Sequence, residues 1–477
     1  MVGEKFIFAW GGEQALFDHY VEMPRHISYR HIPGCDVDEL LISGQGSHRN
    51  WYHSQSSVEK LRKSGEQFFD KSFRDKFLLD LCAAVADYRK KEVEISNKLA
   101  HASEMDNAEL GQLFQTYVDE LVKIWAYFAS SQEEIMHAVE TRLLNKLEEK
   151  YGNNFMQLAL PLLTPSEEDV LLREKIDFLQ VAKNPSRENL LNHAKKYHFL
   201  MFCVFSREKA LELLQNRLNS TSVEQLQSEI KLKQTTLQQL AEKQQVLSGE
   251  VDVETAALAS FVRSQAHWRL ELKSCWSGSQ YCFLPLFEEI SKRSGVGLYE
   301  LVFLATPVDI LGFLLEGKKI SSEELERRKQ AHLLYFKDLK ITLYSGAVAV
   351  AKRKELLDPS LPLESTREFH GTIANTGKVV GLVRVVKVDN PDSIAKLAQE
   401  LKPGSILVTG MTNPTMVPLF KKLAGIITDE GGMACHAAII SRELGVPCLV
   451  GCKIAMQVLK DGDEVEVDAT SGIVRKL

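Results

Sequence analysis

The chain reads as a multidomain protein, with a largely α-helical N-terminal and central region followed by a C-terminal α/β domain. Three observations lead there. Its 477 residues exceed what one ordinary core accommodates. Apolar residues recur at three- and four-residue steps along much of the stretch from 58 to 356. Beyond a break rich in proline and serine, short β-rich runs alternate with helical ones, the pattern of a compact α/β unit.

Residues 1–57 read as a small β-containing cap. Strand-like pieces at Lys5 to Trp10, His26 to His31 and Glu39 to Ser43 are broken by Gly-Gly, Pro-Gly and Gly-Gln-Gly. Gly44 and Gly46 are not followed by Lys-Ser/Thr, so they read as a turn rather than a phosphate loop. In the helical domain, 58–356, Asp106 and Glu109 form a capping-box pattern. Leu110, Leu113, Phe114, Tyr117, Val118, Leu121, Ile124, Trp125 and Phe128 then make a core-facing stripe. Val223, Leu226, Ile230, Leu237 and Leu240 follow a heptad with Lys233 on the seam, predicting a protruding helix or half of an antiparallel pair. A further helix over Val253 to Cys275 carries Arg263, His267, Arg269 and Lys273, which form either a solvated charged face or a basic face for an anion.

Residues 357–366 carry two prolines and two serines and read as an interdomain linker. The domain after it, 367–477, has strand-like runs at Val379 to Val388, Ser405 to Thr409, Gly425 to Thr428, Pro447 to Val450 and Glu464 to Val467. Asp392 to Leu401, Met416 to Leu423 and Ala437 to Leu444 look helical.

Bulk properties narrow the function. With 26% charged residues and a net charge of −6, there is no sign of a nucleic-acid track. The first residues carry Glu4, Lys5 and Glu13 and lack the pattern of an export signal, and no run of about eighteen apolar residues occurs. A cytoplasmic protein that engages no membrane is expected. None of the eight cysteines forms a C-x-x-C pair. Cys435, Cys448 and Cys452 read as small buried thiols, and no metal site is assigned.

One run is far more specific: Ile426-Ile-Thr-Asp-Glu-Gly-Gly-Met-Ala-Cys-His-Ala-Ala-Ile-Ile-Ser-Arg-Glu-Leu-Gly-Val-Pro-Cys-Leu-Val-Gly451. It resembles the phosphohistidine signature of the PEP-utilising enzyme family, which includes phosphoenolpyruvate synthase, pyruvate phosphate dikinase and rifampin phosphotransferase. Two further segments agree in order and spacing. His370-Gly-Thr-Ile-Ala-Asn-Thr-Gly-Lys-Val-Val-Gly-Leu-Val-Arg-Val-Val386 is similar to that family's domain entry, and Leu407-Val-Thr-Gly-Met-Thr-Asn-Pro-Thr-Met-Val-Pro-Leu419 to its strand, loop and helix before the signature. The resemblance implies a β/β/α swivelling domain in which His436 carries a phosphoryl group between two active sites. More faintly, the regions around Trp51-Tyr-His-Ser and Leu298 to Leu315 resemble what accompanies this domain in rifampin phosphotransferase-like members.

The chemistry fits that role. Gly431 and Gly432 let the backbone turn tightly and approach an anion, and His436 stands just before a helix whose free N–H groups favour phosphate. A neutral imidazole nitrogen can attack phosphorus while its partner nitrogen is held. The helix terminus adds only about 0.3 to 1 kcal/mol for an exposed anion, so an activating domain is still required. Cys435, Thr412 and Arg442 complete the candidate phosphate-binding or supporting set. Thr412 is equally a turn residue, and Arg442 equally an ion-pair partner of Glu443 or Asp429. Family members commonly have Thr two residues before the histidine, whereas this chain has Ala434, which removes a hydroxyl.

The family usually draws its phosphoryl group from an N-terminal ATP-grasp domain, and the residues before the helical stretch are too few to hold one. The expectation is therefore a separate ATP-grasp subunit, with Mg²⁺ and ATP held by that partner and no cofactor bound by this chain. A small-molecule acceptor and a dikinase-type reaction complete it. The alternatives are a non-catalytic regulatory or scaffolding protein that keeps the swivelling fold, and, ranked last, a self-contained enzyme with an unfamiliar donor.

Overall fold

The computed structural model describes residues 6–46, 48–152, 155–202, 204–357, 366–386, 397, 400–412, 416–420, 422–432 and 435–477. The chain divides into two compact units. One gathers Met1–Gln14, Asp38–Glu59 and Arg327–Leu477, and the other Ala15–Val37 and Lys60–Glu326.

In the first unit, β1 (Phe6–Glu13), β2 (Glu39–Gln45), β3 (His48–Ser54), β4 (His332–Lys337) and β5 (Lys340–Ser345) form a five-stranded antiparallel sheet ordered β1-β3-β2-β4-β5. Two expectations are corrected here. Residues 1–57 do not stand alone as a cap, because Leu40, Leu41 and Ile42 of β2 pair with Phe336, Tyr335 and Leu334 of β4. The stretch 58–356 is likewise not continuously helical. Its alternating Leu-Leu-Tyr-Phe and Ile-Thr-Leu-Tyr runs make a hairpin, closed by a two-residue turn in which Asp338 and Leu339 have φ of +50° and +59°. Gly44 lies in β2, where a Cβ would run into the side chains of Arg49 and His332. The turn proper falls at Gly46.

The second unit is helical. Asp106 and Glu109 make the reciprocal capping bonds expected of them. The following helix, Asn107–Ala129, buries its stripe, with Leu113 only half-buried. Phe114 and Tyr117 meet Phe17, Phe283 and Phe287 in an aromatic core with ring centroids 4.4–6.3 Å apart. The heptad segment is one helix, Val223–Glu250, and it pairs with helix Val170–Lys183: Leu226 and Ile230 share a core with Leu172 and Phe178, and Lys175 reaches Glu229 at 2.8 Å.

On helix Val253–Trp276, Arg263 donates to the Leu162 carbonyl at 2.5 Å and Arg269 to the Ser131 carbonyl at 3.0 Å. Those two cations therefore fasten the helical unit internally. Residues His26 to His31 are not a strand: Pro24 starts a helical turn, Arg25–Ser28, that buries His26 beside the Cys35 carbonyl.

After the 357–366 linker, of which 358–365 lie outside the described residues, comes the α/β domain. Its strands are β6 (Glu368–His370), β7 (Thr372–Asn375), β8 (Lys378–Val386), β9 (Ser405–Thr409), β10 (Leu423–Thr428), β11 (Cys448–Val450), β12 (Glu464–Asp468) and β13 (Ile473–Lys476). Their order is β6-β13-β12-β8-β9-β10-β11-β7, with β8 to β11 parallel and the flanking pairs antiparallel. Only Gly371 separates β6 from β7, so the two ends of this order meet and the sheet curls back on itself. A Cβ at Gly371 would strike Cys452 Sγ, which leaves glycine as the residue that fits the join.

β8 is shared: Lys378–Leu382 pairs with β12 and Val383–Val386 with β9. Ile406, Val408, Ile427 and Leu449 face one core, while Leu407, Ile426, Cys448 and Val450 face the other, beneath helix His436–Leu444. Burial on both faces explains why these strands read as continuous apolar runs. Of the expected helix at Asp392 to Leu401, residues 392–396, 398 and 399 lie outside the described residues. The helix expected from Met416 to Leu423 is the shorter Val417–Phe420, because β10 begins at Leu423.

Candidate functional site

Parallel strands place their carboxyl ends on one edge, and in sheets of this kind that edge is where ligands bind. Among the described residues this edge carries three segments: Gly410–Thr412 after β9, residues 429–432 with Cys435 after β10, and the stretch from Gly451 after β11. Main-chain bonds tie them together. Asp429 N donates to Thr409 O at 3.1 Å and Glu430 N to Gly410 O at 2.9 Å. Cys452 N donates to Thr428 O at 2.9 Å and Lys453 N to Asp429 O at 3.1 Å. Two buried hydroxyls brace the turns, with Thr409 Oγ1 donating to Met411 O at 3.1 Å and Thr428 Oγ1 to Glu430 O at 2.6 Å.

Asp429 is the buried post of the middle loop. Its carboxylate accepts the N–H groups of Ala455 at 2.6 Å and Met456 at 2.9 Å. Burial pushes its pKa up to about 6, against the opposing pull of those two N–H groups and the Lys453 charge. Gly431 then turns at φ +107°, where a Cβ would lie 2.6 Å from Cys435 Sγ. Cys435 N donates to Gly432 O at 3.1 Å, and Cys435 caps the helix, its Sγ accepting from Ala438 N at 3.5 Å. The helix opens at His436, runs nine residues and ends on Gly445 in the left-handed conformation. Gly431, Gly432, Cys435 and His436 are thus brought together at a helix N-terminus, the end of a helix that favours an anion.

The other candidates fall into place around this turn. Thr412 is buried on the neighbouring loop, and Asn413 and Pro414 lie outside the described residues, as does Ala434. Arg442 stands about 9 Å along the axis from His436. Its Nε donates to Ala374 O of β7 at 2.6 Å. Asn375 Nδ2 fixes the same helix end through Val446 O at 2.8 Å. Arg442 therefore anchors the helix to β7. Asp429 escaped the sequence reading except as a possible partner for Arg442, because its own partners lie 26 and 27 residues downstream.

A parallel sheet covered on both faces, with a glycine turn and a histidine opening a helix on its carboxyl edge, defines the class as an α/β domain. Residues 401–472 match the model of the PEP-utilising enzyme mobile domain. A probable phosphoenolpyruvate synthase of Archaeoglobus fulgidus is 52% identical over 104 residues, covering 22% of this chain and 13% of the relative. That of Methanothermobacter thermautotrophicus is 38% identical over 167 residues, covering 34% and 24%. Phosphoenolpyruvate synthase of Escherichia coli is 50% identical over 72 residues, covering 15% and 9%. The similarity thus spans under a quarter of each of these relatives. Among the described residues, no helix is long and apolar enough to cross a membrane.

Proposed function

We propose that this chain is a phosphoryl carrier, in which His436 is transiently phosphorylated by an ATP-grasp protein acting in trans and hands the group to a small-molecule acceptor. The observation that carries this reading is the placement of His436 as first residue of a capped helix on the carboxyl edge of the sheet, in a chain 52% identical over 104 residues to a probable phosphoenolpyruvate synthase.

The division of labour follows from magnitudes. A helix N-terminus stabilises an exposed anion by about 0.3 to 1 kcal/mol, enough to favour a phosphohistidine and far too little to cleave ATP. Cleavage belongs to the partner, which would hold Mg²⁺ and nucleotide. This chain supplies the nucleophilic imidazole and a glycine loop that lets phosphate approach the backbone. Swinging on the 357–366 linker carries the group onward. The second reading, a scaffold that keeps the fold without transfer, is favoured by Ala434, where a hydroxyl beside the histidine is missing.

Incubation with candidate ATP-grasp proteins and Mg-ATP labelled separately at the β and γ phosphates tests the proposal. A dikinase-type carrier retains the β label on His436 and releases the γ label as phosphate. Failure of either label to reach the chain with any partner favours the scaffold.

A further inference from the structure

The geometry points to Asp429 as a proton-sensitive positioning residue, whose ionised carboxylate holds the glycine loop in the shape that phosphorylation of His436 requires. The inference rests on the phosphohistidine reading above. Asp429 follows β10 directly, two residues before Gly431, and is 3% exposed. Its two carboxylate oxygens are divided between consecutive N–H groups, Oδ1 accepting from Ala455 at 2.6 Å and Oδ2 from Met456 at 2.9 Å. These N–H groups open the helical turn Ala455–Val458, inside which they have no partner, and Ile454 at its start offers no side-chain acceptor. From that anchor the chain runs through Glu430, whose N–H donates to Gly410 O, to Gly431 and Gly432. Gly432 O accepts from Cys435 N at 3.1 Å, and Cys435 caps the helix that His436 opens. A shift at Asp429 therefore reaches the start of that helix along main-chain bonds.

One proton undoes this hold. Because each oxygen faces an N–H, a proton on either one removes the charge and makes that oxygen a donor opposed to a donor. Burial brings the event close to neutrality, at a pKa of about 6. The segments bonded to Asp429 leave its carboxyl as the group that titrates there. Gly410, Met411 and Thr412 after β9 carry no ionisable acid or base, and neither do the Ala, Met, Gln and Val of the 455–458 turn. Lys453, after β11, supplies a positive charge that favours the ionised form. Cys452 precedes that lysine, and Glu430 follows Asp429 in its own loop.

Phosphoramidate provides a donor that needs no partner protein. The His436 nitrogen bonds to phosphorus, the P–N bond of phosphoramidate breaks, and ammonium leaves with the imidazole proton. Phosphorylation of wild type and Asp429→Asn is followed by intact mass between pH 5 and pH 8. Asn keeps the shape of the side chain and one acceptor, and so imitates the protonated acid. The titrations of His436 and of the donor are common to both proteins and cancel in the ratio of their rates. We expect wild type to be about tenfold faster at pH 8, with the ratio falling towards one at pH 5. Its midpoint should lie at about 6, and the amide resonances of Ala455 and Met456 in wild type should move through the same midpoint. A ratio that is the same at every pH would make Asp429 a structural staple and overturn the inference. So would amide resonances that stay fixed across this range, a measurement that needs no variant to fold. Wild type that takes up no phosphoryl group while those resonances titrate would overturn the carrier reading, and with it the service to His436, while the proton-sensitive anchor stood.

Discussion

Asp429 and Ala455 are joined by a 2.6 Å hydrogen bond from the Ala455 main chain to a buried carboxylate, and this bond links the base of the glycine loop to the next helical turn. Burial raises the Asp429 pKa from 3.8 to about 6. A carboxyl whose folded pKa is raised binds its proton more tightly when folded, so its contribution is fullest below the unfolded pKa and is lost as pH rises through about 6. At 1.36 kcal/mol per unit, the loss is on the order of 3 kcal/mol. Asp429→Asn removes the titration. The stability of wild type relative to this variant should therefore fall between pH 4 and pH 7 in urea unfolding, and a flat difference would contradict the assignment.

Gly431→Ala places a methyl group against Cys435 at a φ of +107°. The expected cost is about 1 to 3 kcal/mol, concentrated in the loop. Phosphorylation of His436 should fall more steeply than the thermal midpoint, because the loop can relieve the clash only by moving the cap of the helix that His436 opens. A variant phosphorylated at the wild-type rate would show that the tight turn is dispensable.

Arg442 is expected to matter for stability rather than for phosphate. Arg442→Ala removes the 2.6 Å bond to Ala374 O and should cost about 2 kcal/mol in denaturant unfolding. Its rate of phosphorylation by phosphoramidate should stay within a few-fold of wild type. A collapse of the rate with unchanged stability would return Arg442 to the phosphate site.

In the helical unit, buried Glu174 lies 2.7 Å from His193 Nε2 and accepts from Arg217 Nη2 at 2.9 Å. Burial by itself would raise its pKa, but the two partners outweigh burial and hold it below 4.5. A depressed carboxyl contributes stability above its unfolded pKa and loses it as pH falls through the folded value. Glu174→Gln should cost about 3 kcal/mol at pH 7, and the difference from wild type should shrink below pH 4. Circular dichroism melts across that range check both statements.

Much of the site was legible because its signals are local. The apolar runs of β9 and β10, Gly431–Gly432 and the helix from His436 lie within a few dozen residues and follow ordinary periodicities. What escaped depends on distant partners. Lys337 and Lys340 flank a turn without the Asn-Gly signature, and β4 finds its partner in β2 almost the whole helical unit away, so the hairpin merged with the helices around it. β6, β7 and β13 are only three or four residues long and carry too little periodicity to register. Arg442 was read against Glu443 and Asp429, whereas its acceptor, Ala374, lies 68 residues upstream.

The most direct test of the central claim is the intact mass of wild type and His436→Ala after incubation with Mg-ATP and an ATP-grasp partner, under alkaline conditions that preserve phosphohistidine. The account predicts an acid-labile gain of one phosphoryl group in wild type and none in His436→Ala. An equal gain in both proteins, or none in either with every partner and with phosphoenolpyruvate, would contradict it.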